Sequence, residues 1–273
     1  MNAAAADTVA ALQMYDWPEV RLANDALWAF LSAQLAAGGI PSPARLDRRS
    51  NYAGVWSLPE LLMAQTCGYP YATGLRDRVR LVGTPCYDVP GCRGADYSSV
   101  IIAGRHSTIT SLAELGDAVA AVNSVSSQSG HWAMREAIAE AKNGVAPRAV
   151  VLSGGHRQSL RMVAAGAADV AAIDAVCWAL AARHEPSVVA AVKVIGRSPF
   201  APGLPIITAR TTSDHVVAAL SAAWSAAITA PELADTRCDL FLAGFKQPPE
   251  PDYDRIMDLR RSALEVRFPA VPN

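Results

Sequence analysis

An α/β fold of two lobes, each a mostly parallel sheet flanked by helices with a cleft between the lobes, is what this sequence predicts. Three observations predict it. Apolar runs of strand length alternate with helical patterns along most of the chain. Two of the strand-to-helix turns, at 123–130 and 153–156, are small and polar. The run Arg197-Ser198-Pro-Phe-Ala-Pro202-Gly203-Leu-Pro205-Ile206 carries three prolines and a glycine, which reads as a crossing between lobes. At 273 residues the chain is long enough for two lobes of ordinary size. Crossovers near Tyr97 and Ser198 divide it into lobe one, 1–96 plus 200–273, and lobe two, 97–199, with a hinge around the cleft.

The elements read in order. Val9 to Met14 is a strand, followed by a loop carrying Tyr15-Asp16-Trp17-Pro18 and an amphipathic helix through Leu35. Pro18 suits a first helical turn, and Gly38-Gly39 ends the helix. An extended piece at 44–49 precedes Asn51-Tyr52-Ala53-Gly54, then a short helix at 58–62 and strands near 63–66 and 80–85. Tyr97 to Ala103 is a strong strand. Ser111-Leu-Ala-Glu114 matches a capping box. Strands at 119–122 and from Val150 lead into the two polar turns and their helices. Val170 to Ile173 is a buried strand with Asp174 at its end, before a helix from Ala175 to about His184. Val192 to Ile195 is the next strand. Helices at 213–229 and 253–266 close the chain around a Pro-rich turn at 248–251.

Composition excludes several function classes. With 51% hydrophobic and 18% charged residues and a net charge of −1, the chain fits a well-buried globular protein with no surface for nucleic acid or anionic membrane. The most apolar window, 162–182, contains Asp169 and Asp174, each costing about 3 kcal/mol at a bilayer centre, so no membrane insertion is expected. The N-terminus has no basic n-region or long apolar core, so it does not read as a signal peptide, and no lipobox cysteine is present. Five cysteines are too few for a disulfide framework. Reduced thiols, a Cys86–Cys92 bridge and a Cys67–Cys92 bridge all remain open. No HExxH, GxSxG, GxGxxG or P-loop occurs, so neither metal nor cofactor is expected.

The polar turns carry the chemistry. Ser124, Ser126, Ser127, Gln128 and Ser129 lie between a strand and a helix, where hydroxyls and free N–H groups converge to attract an oxyanion. The turn has no lysine, which suits reversible capture by dipoles better than phosphoryl transfer. A helix-capping role for Ser127 or Ser129 is the plainer reading. Val150-Val-Leu-Ser-Gly-Gly-His156 repeats the strand, polar turn and helix. In a parallel sheet both turns open at the carboxyl ends of strands, where such sheets bind ligands.

Asn51-Tyr-Ala-Gly54, Tyr97-Ser-Ser-Val-Ile-Ile, Ser126-Ser-Gln-Ser-Gly130, Gly155-His156 and Ser198-Pro-x-x-Pro-Gly-x-Pro-Ile206, in that order, resemble the phosphate/phosphonate-type substrate-binding proteins of ABC transporters. The resemblance spans about residues 8–245 and implies the two-lobed periplasmic-binding-protein fold of type II. It implies an oxyanion held at the helix start by Ser127, Gln128, Ser129 and Gly130, with hydroxyls from Tyr52 and Tyr97 and a hydrogen bond from His156. Two departures stand out. Val176 and Leu204 occupy places where amine-binding members carry carboxylates, which favours phosphate, phosphite or a simple phosphonate. Asp174 is the nearby substitute, or else a helix cap. Gln128 replaces a hydroxyl residue and re-aims the pocket.

The function expected is therefore capture of a small phosphorus oxyanion for an ABC-transporter permease, by a monomer that is not an enzyme. A cytoplasmic enzyme using His156 with Asp174, or a ligand sensor, is the alternative on the same fold. The resemblance implies a periplasmic location. Either the start of the chain is truncated and lacks an export signal, or the protein is expected to work inside the cell.

Overall fold

The computed structural model describes residues 8–49, 51–247 and 249–271, and the chain divides into two compact units. The first holds the chain through Asp88, Arg93–Ala95 and Gly203–Asp252. The second holds Val89–Cys92, Asp96–Pro202 and the chain from Tyr253 onward.

The first unit's sheet has the order Val9–Ala11, Leu61–Gln65, Ile206–Ala209, Val79–Tyr87, Leu242–Lys246. Its first pair is parallel and the other three are antiparallel. Helices Arg21–Ala37 and Asp214–Thr229 pack against each other. Leu27, Trp28, Leu31 and Leu35 form the buried stripe of the former, at the spacing a core-facing helix requires. The expected helix at 58–62 is absent. The chain instead enters a strand at Leu61, all five of whose residues are buried. A strand covered on both faces reads as an unbroken apolar run, so periodicity could not identify it. The first strand also stops at Ala11, where a 3-10 turn, Gln13–Tyr15, begins.

The second unit's sheet has the order Val192–Arg197, Ser99–Gly104, Val170–Asp174, Val119–Val122, Ala149–Leu152. Ser99–Gly104 is antiparallel to both neighbours, and Val119–Val122 is parallel to both of its own. Pairing is thus mixed in both sheets, although three strands of the first and four of the second run the same way. In the first sheet, strands Ile206–Ala209 and Leu242–Lys246 run against the other three. In the second, only Ser99–Gly104 opposes the rest. Helix Ala133–Glu140 covers the second sheet through Met134, Ala137 and Ile138, which pack with Ile101, Val122 and Val170.

The last helix corrects the lobe assignment. The sequence-based division puts 200–273 in lobe one, but Asp254–Leu264 belongs to the second unit. It packs on helix Ala133–Glu140, burying Ile256 and Ala263. Arg135 donates to the carbonyls of Ala263 and Val266 at 3.1 Å, and Phe268 lies against the His131 ring at 5.4 Å between centroids. Sequence order says nothing about which unit offers the matching apolar face.

All five cysteines are free thiols. Among the described residues no single helix is long and apolar enough to cross a membrane, and no group of side chains is arranged to hold a metal ion.

Candidate functional site

The Ser-rich turn after Val119–Val122 does lead into a helix. Its first turn, Gln128–Trp132, has π-type pitch and continues as Ala133–Glu140. The amide of Trp132 reaches back to the Ser127 carbonyl at 3.1 Å, and such wide turns recur at functional sites. Ser127 is the N-cap, its Oγ accepting from the Gly130 amide at 3.0 Å. The capping reading therefore holds for Ser127, while Ser129 is engaged elsewhere.

Ser129 Oγ lies 2.7 Å from His156 Nε2. His156 is the first residue of helix His156–Ala164, and its Nδ1 lies 3.2 Å from the Ala172 carbonyl. The Ala172 carbonyl can only accept and the Asp174 amide, at 3.5 Å from the same nitrogen, can only donate; the shorter contact puts the proton on Nδ1, and Nε2 accepts from the Ser129 hydroxyl. The Asn123 side-chain amide approaches the same Nε2 at 3.4 Å. Burial holds the His156 imidazole down to about 4, so it is neutral at physiological pH and brings no positive charge.

A narrow pocket, closed down so far that it has no room for a water molecule as it stands, lies beside this network, lined by Tyr97, Ser98, Ser99, Gln128, Ser129, Glu136 and Ser198 among others. Most of its serines are already committed. Ser98 donates to the Gly91 carbonyl at 3.1 Å. Ser198 accepts from the Ser99 amide and donates to the Pro199 carbonyl, both at 2.9 Å. Ser99 differs: it is 1% exposed and its hydroxyl has no hydrogen-bond partner. An unpaired buried hydroxyl costs about 1–3 kcal/mol, which a ligand oxygen would recover.

Glu136 was not singled out by its sequence context. It is 2% exposed, and both carboxylate oxygens accept from Gln128 Nε2, at 2.9 and 3.1 Å. Burial pushes its carboxyl up to about 7, with the Glu140 charge adding to the effect. The spacing of eight residues from Gln128 was the available signal, since it spans about two helical turns and returns to the same face.

The structure thus brings Tyr97, Gln128 and Ser129 to one cavity, with His156 bonded to Ser129 and Gly130 bonded to Ser127. Tyr52 is in the first unit, on the short helix Tyr52–Val55, and its side chain lies outside the described residues. Asp174 is 1% exposed. Its Oδ1 accepts from the amides of Val176 and Cys177 at 2.7 and 3.1 Å, capping helix Ala175–His184. Its backbone amide approaches His156 Nδ1 at 3.5 Å, while its Oδ1 is committed to the cap. Asp174→Ala is expected to cost about 1 kcal/mol of stability, as lost caps do. In denaturant unfolding that loss should appear without a change of ligand affinity beyond about twofold, which is within 0.5 kcal/mol; a larger affinity loss would make Asp174 a ligand contact.

A buried pocket of hydroxyls, an amide and one carboxyl at a helix start, in a chain of two α/β units, is the equipment of a small-molecule binding protein. The family model for ABC transporter, phosphonate, periplasmic substrate-binding proteins matches residues 63–253. The chain belongs to that family, and its fold is that of the type II periplasmic binding proteins. A binding-protein component of an ABC phosphonate transporter from Pseudomonas aeruginosa is 19% identical, with a TM-score of 0.74 over 95% of this chain and 87% of that one. PhnD1 from Prochlorococcus marinus, in complex with methylphosphonate, is 14% identical, with a TM-score of 0.71 over 95% and 99%. A Xanthomonas citri protein bound to ATP is 16% identical, with a TM-score of 0.71 over 96% and 98%. No curated protein matches the sequence.

Proposed function

We propose that this chain is the substrate-binding component of an ABC importer and captures a small phosphorus oxyanion, such as methylphosphonate, phosphite or phosphate, at the 127–130 turn. The observation that carries this reading is the buried Ser99 hydroxyl without a partner, in the same cavity as Ser129. Ser129 acts as a switchable donor. Its hydroxyl donates to His156 Nε2. When the anion binds, the hydroxyl turns to the ligand and the Asn123 amide remains to satisfy the ring nitrogen. Neutral His156 keeps the interaction dipolar, which suits capture followed by release to a permease.

A hydrolase built on Ser129 and His156 is the second reading, favoured by their 2.7 Å separation. The ring is oriented by a carbonyl rather than a carboxylate, which would not stabilise an imidazolium as a catalytic triad does. The separating experiment is a thermal-shift panel of methylphosphonate, phosphite, phosphate, aminomethylphosphonate, sulfate and acetate. Ligand at a hundred times its dissociation constant stabilises by about 2.7 kcal/mol, so a phosphorus oxyanion should raise the midpoint by several degrees. Ser129→Ala should remove most of that rise. A folded protein with no shift across the panel would end the oxyanion reading, and turnover of a phosphate or phosphonate ester would install the hydrolase.

A further inference from the structure

Placing a carboxylate in an anion pocket sets a problem that the ligand must solve. Glu136 is buried, lines the same small cavity as Ser99 and Ser129, and is held by Gln128 Nε2 on both oxygens. One amide donor does not offset a carboxylate that shares so narrow a pocket with a phosphorus oxyanion. The pocket's own lining supplies no cation, and Arg197 lies outside it, with Ser98 around Gly91. Arg135, on the same helix, is turned to the Ala263 and Val266 carbonyls. Arg255, on the last helix, is paired with Asp96 at 2.9 Å. Asp174, on the neighbouring strand, caps its own helix, and Glu140 adds negative charge one turn along. His131 and His156 are both held neutral by burial. Tyr97 brings a phenol, which carries no positive charge.

We propose that the pocket takes up its ligand together with one proton, shared between the Glu136 carboxyl and an oxygen of the anion. The ligand class is then a phosphorus oxyanion able to carry a hydrogen, and sulfate, which carries none at neutral pH, is disfavoured. The inference rests on the oxyanion reading above. The bookkeeping is simple: a dianion and a carboxylate bind one solvent proton, no covalent bond to phosphorus changes, and the complex keeps the charge of a protonated acid beside a dianion or of a carboxylate beside a monoanion. Gln128 fits this role, because its amide can keep donating to whichever Glu136 oxygen lacks the proton.

The test is calorimetric titration with methylphosphonate at pH 8.5, in two buffers of different ionisation enthalpy. There both the free ligand and Glu136 are mostly deprotonated. Wild-type protein should take up close to one proton per ligand bound, and its Kd should rise about tenfold per pH unit above pH 8. Glu136→Gln should bind with an uptake near zero and a nearly flat pH dependence, and should gain at least about tenfold in affinity for sulfate, the equivalent of 1.4 kcal/mol. Its fold is checked by circular dichroism. The wild-type proton count stands without the variant. Methylphosphonate binding without proton uptake, or with equal uptake in Glu136→Gln, overturns the proposal while leaving the oxyanion reading intact. Tight, proton-neutral binding of aminomethylphosphonate that Glu136→Gln abolishes overturns it in favour of an ammonium partner for Glu136. Binding of no panel member removes both readings together.

Discussion

Gly130→Ala is expected to lower affinity for methylphosphonate about ten- to a hundredfold, the equivalent of the 1–3 kcal/mol that overpacking costs. A Cβ at this position would lie 1.8 Å from Asn123 Oδ1, 2.7 Å from its Cγ and 3.2 Å from Ser127 Oγ. Asn123 must therefore leave, and its amide is the group that approaches His156 Nε2 at 3.4 Å. The turn that holds Ser127 and Ser129 then opens at the point where the Gly130 amide meets Ser127 Oγ. Calorimetry on the folded variant measures the loss. Asn123→Ala in the same chain removes the obstructing side chain and should restore part of the affinity. An unchanged Kd in Gly130→Ala would show that the turn is not the anion's seat.

Between pH 6 and pH 5 the wild-type protein is expected to lose about 1 kcal/mol of stability, and Glu136→Gln about twice as much, from three buried groups. His156 and His131 are both held down to about 4. Burial is the main cause for each, with the Arg135 charge a second one at His131. The His131 ring packs against Trp132 and Phe268 with no hydrogen-bond partner on either nitrogen. A histidine near 6.5 when unfolded and near 4 when folded contributes stability above 6.5, and that contribution drains away as pH falls towards 4. Glu136 has the opposite sign. Its carboxyl is raised to about 7, so its contribution is complete below about 4.5, the ordinary value, and is lost as pH rises towards 7. In the window between, the unfolded chain holds about two histidine protons and the folded one holds one on Glu136, a net difference of about one. Replacing Glu136 by glutamine leaves the histidines unopposed. Urea unfolding at pH 5, 5.5 and 6 measures both slopes, and equal slopes for the two proteins would refute the assignment.

The parts of the site visible in the sequence were those with a local signature. Ser127, Ser129 and Gly130 announce themselves as a polar turn between an apolar strand and a helix, and His156 does so through the glycines before it. Glu136 was hidden because a glutamate in a helix is usually a solvated charge, and its burial follows from tertiary packing that the helical pattern does not encode. Ser99 and Ser198 lie in motifs that carry the family resemblance, yet their different roles depend on partners almost a hundred residues apart, as the hydrogen bond from the Ser99 amide to Ser198 Oγ illustrates. Asp174 carried two readings at sequence level, and its bonds to Val176 and Cys177 make it a cap. The alternation of strands and helices was legible. The direction of Ser99–Gly104 was not, because strand direction is fixed by crossings that apolar patterning does not encode.

The placement of the last helix has a consequence for the order in which the protein is made. Every strand of the second unit's five-stranded sheet has been synthesised by residue 197, but the helix that covers Ala133–Glu140 starts only at Asp254. The intervening Gly203–Asp252 belongs to the first unit. At about 5–20 residues per second, its 50 residues (252 − 203 + 1) occupy the ribosome for some 3–10 s. During that interval Arg135 lacks the Ala263 and Val266 carbonyls, and His131 lacks the Phe268 ring. The unit that carries the pocket is consequently completed after the first unit's last segment, and the pocket's helix gains its outer cover only once Asp254–Leu264 has been made.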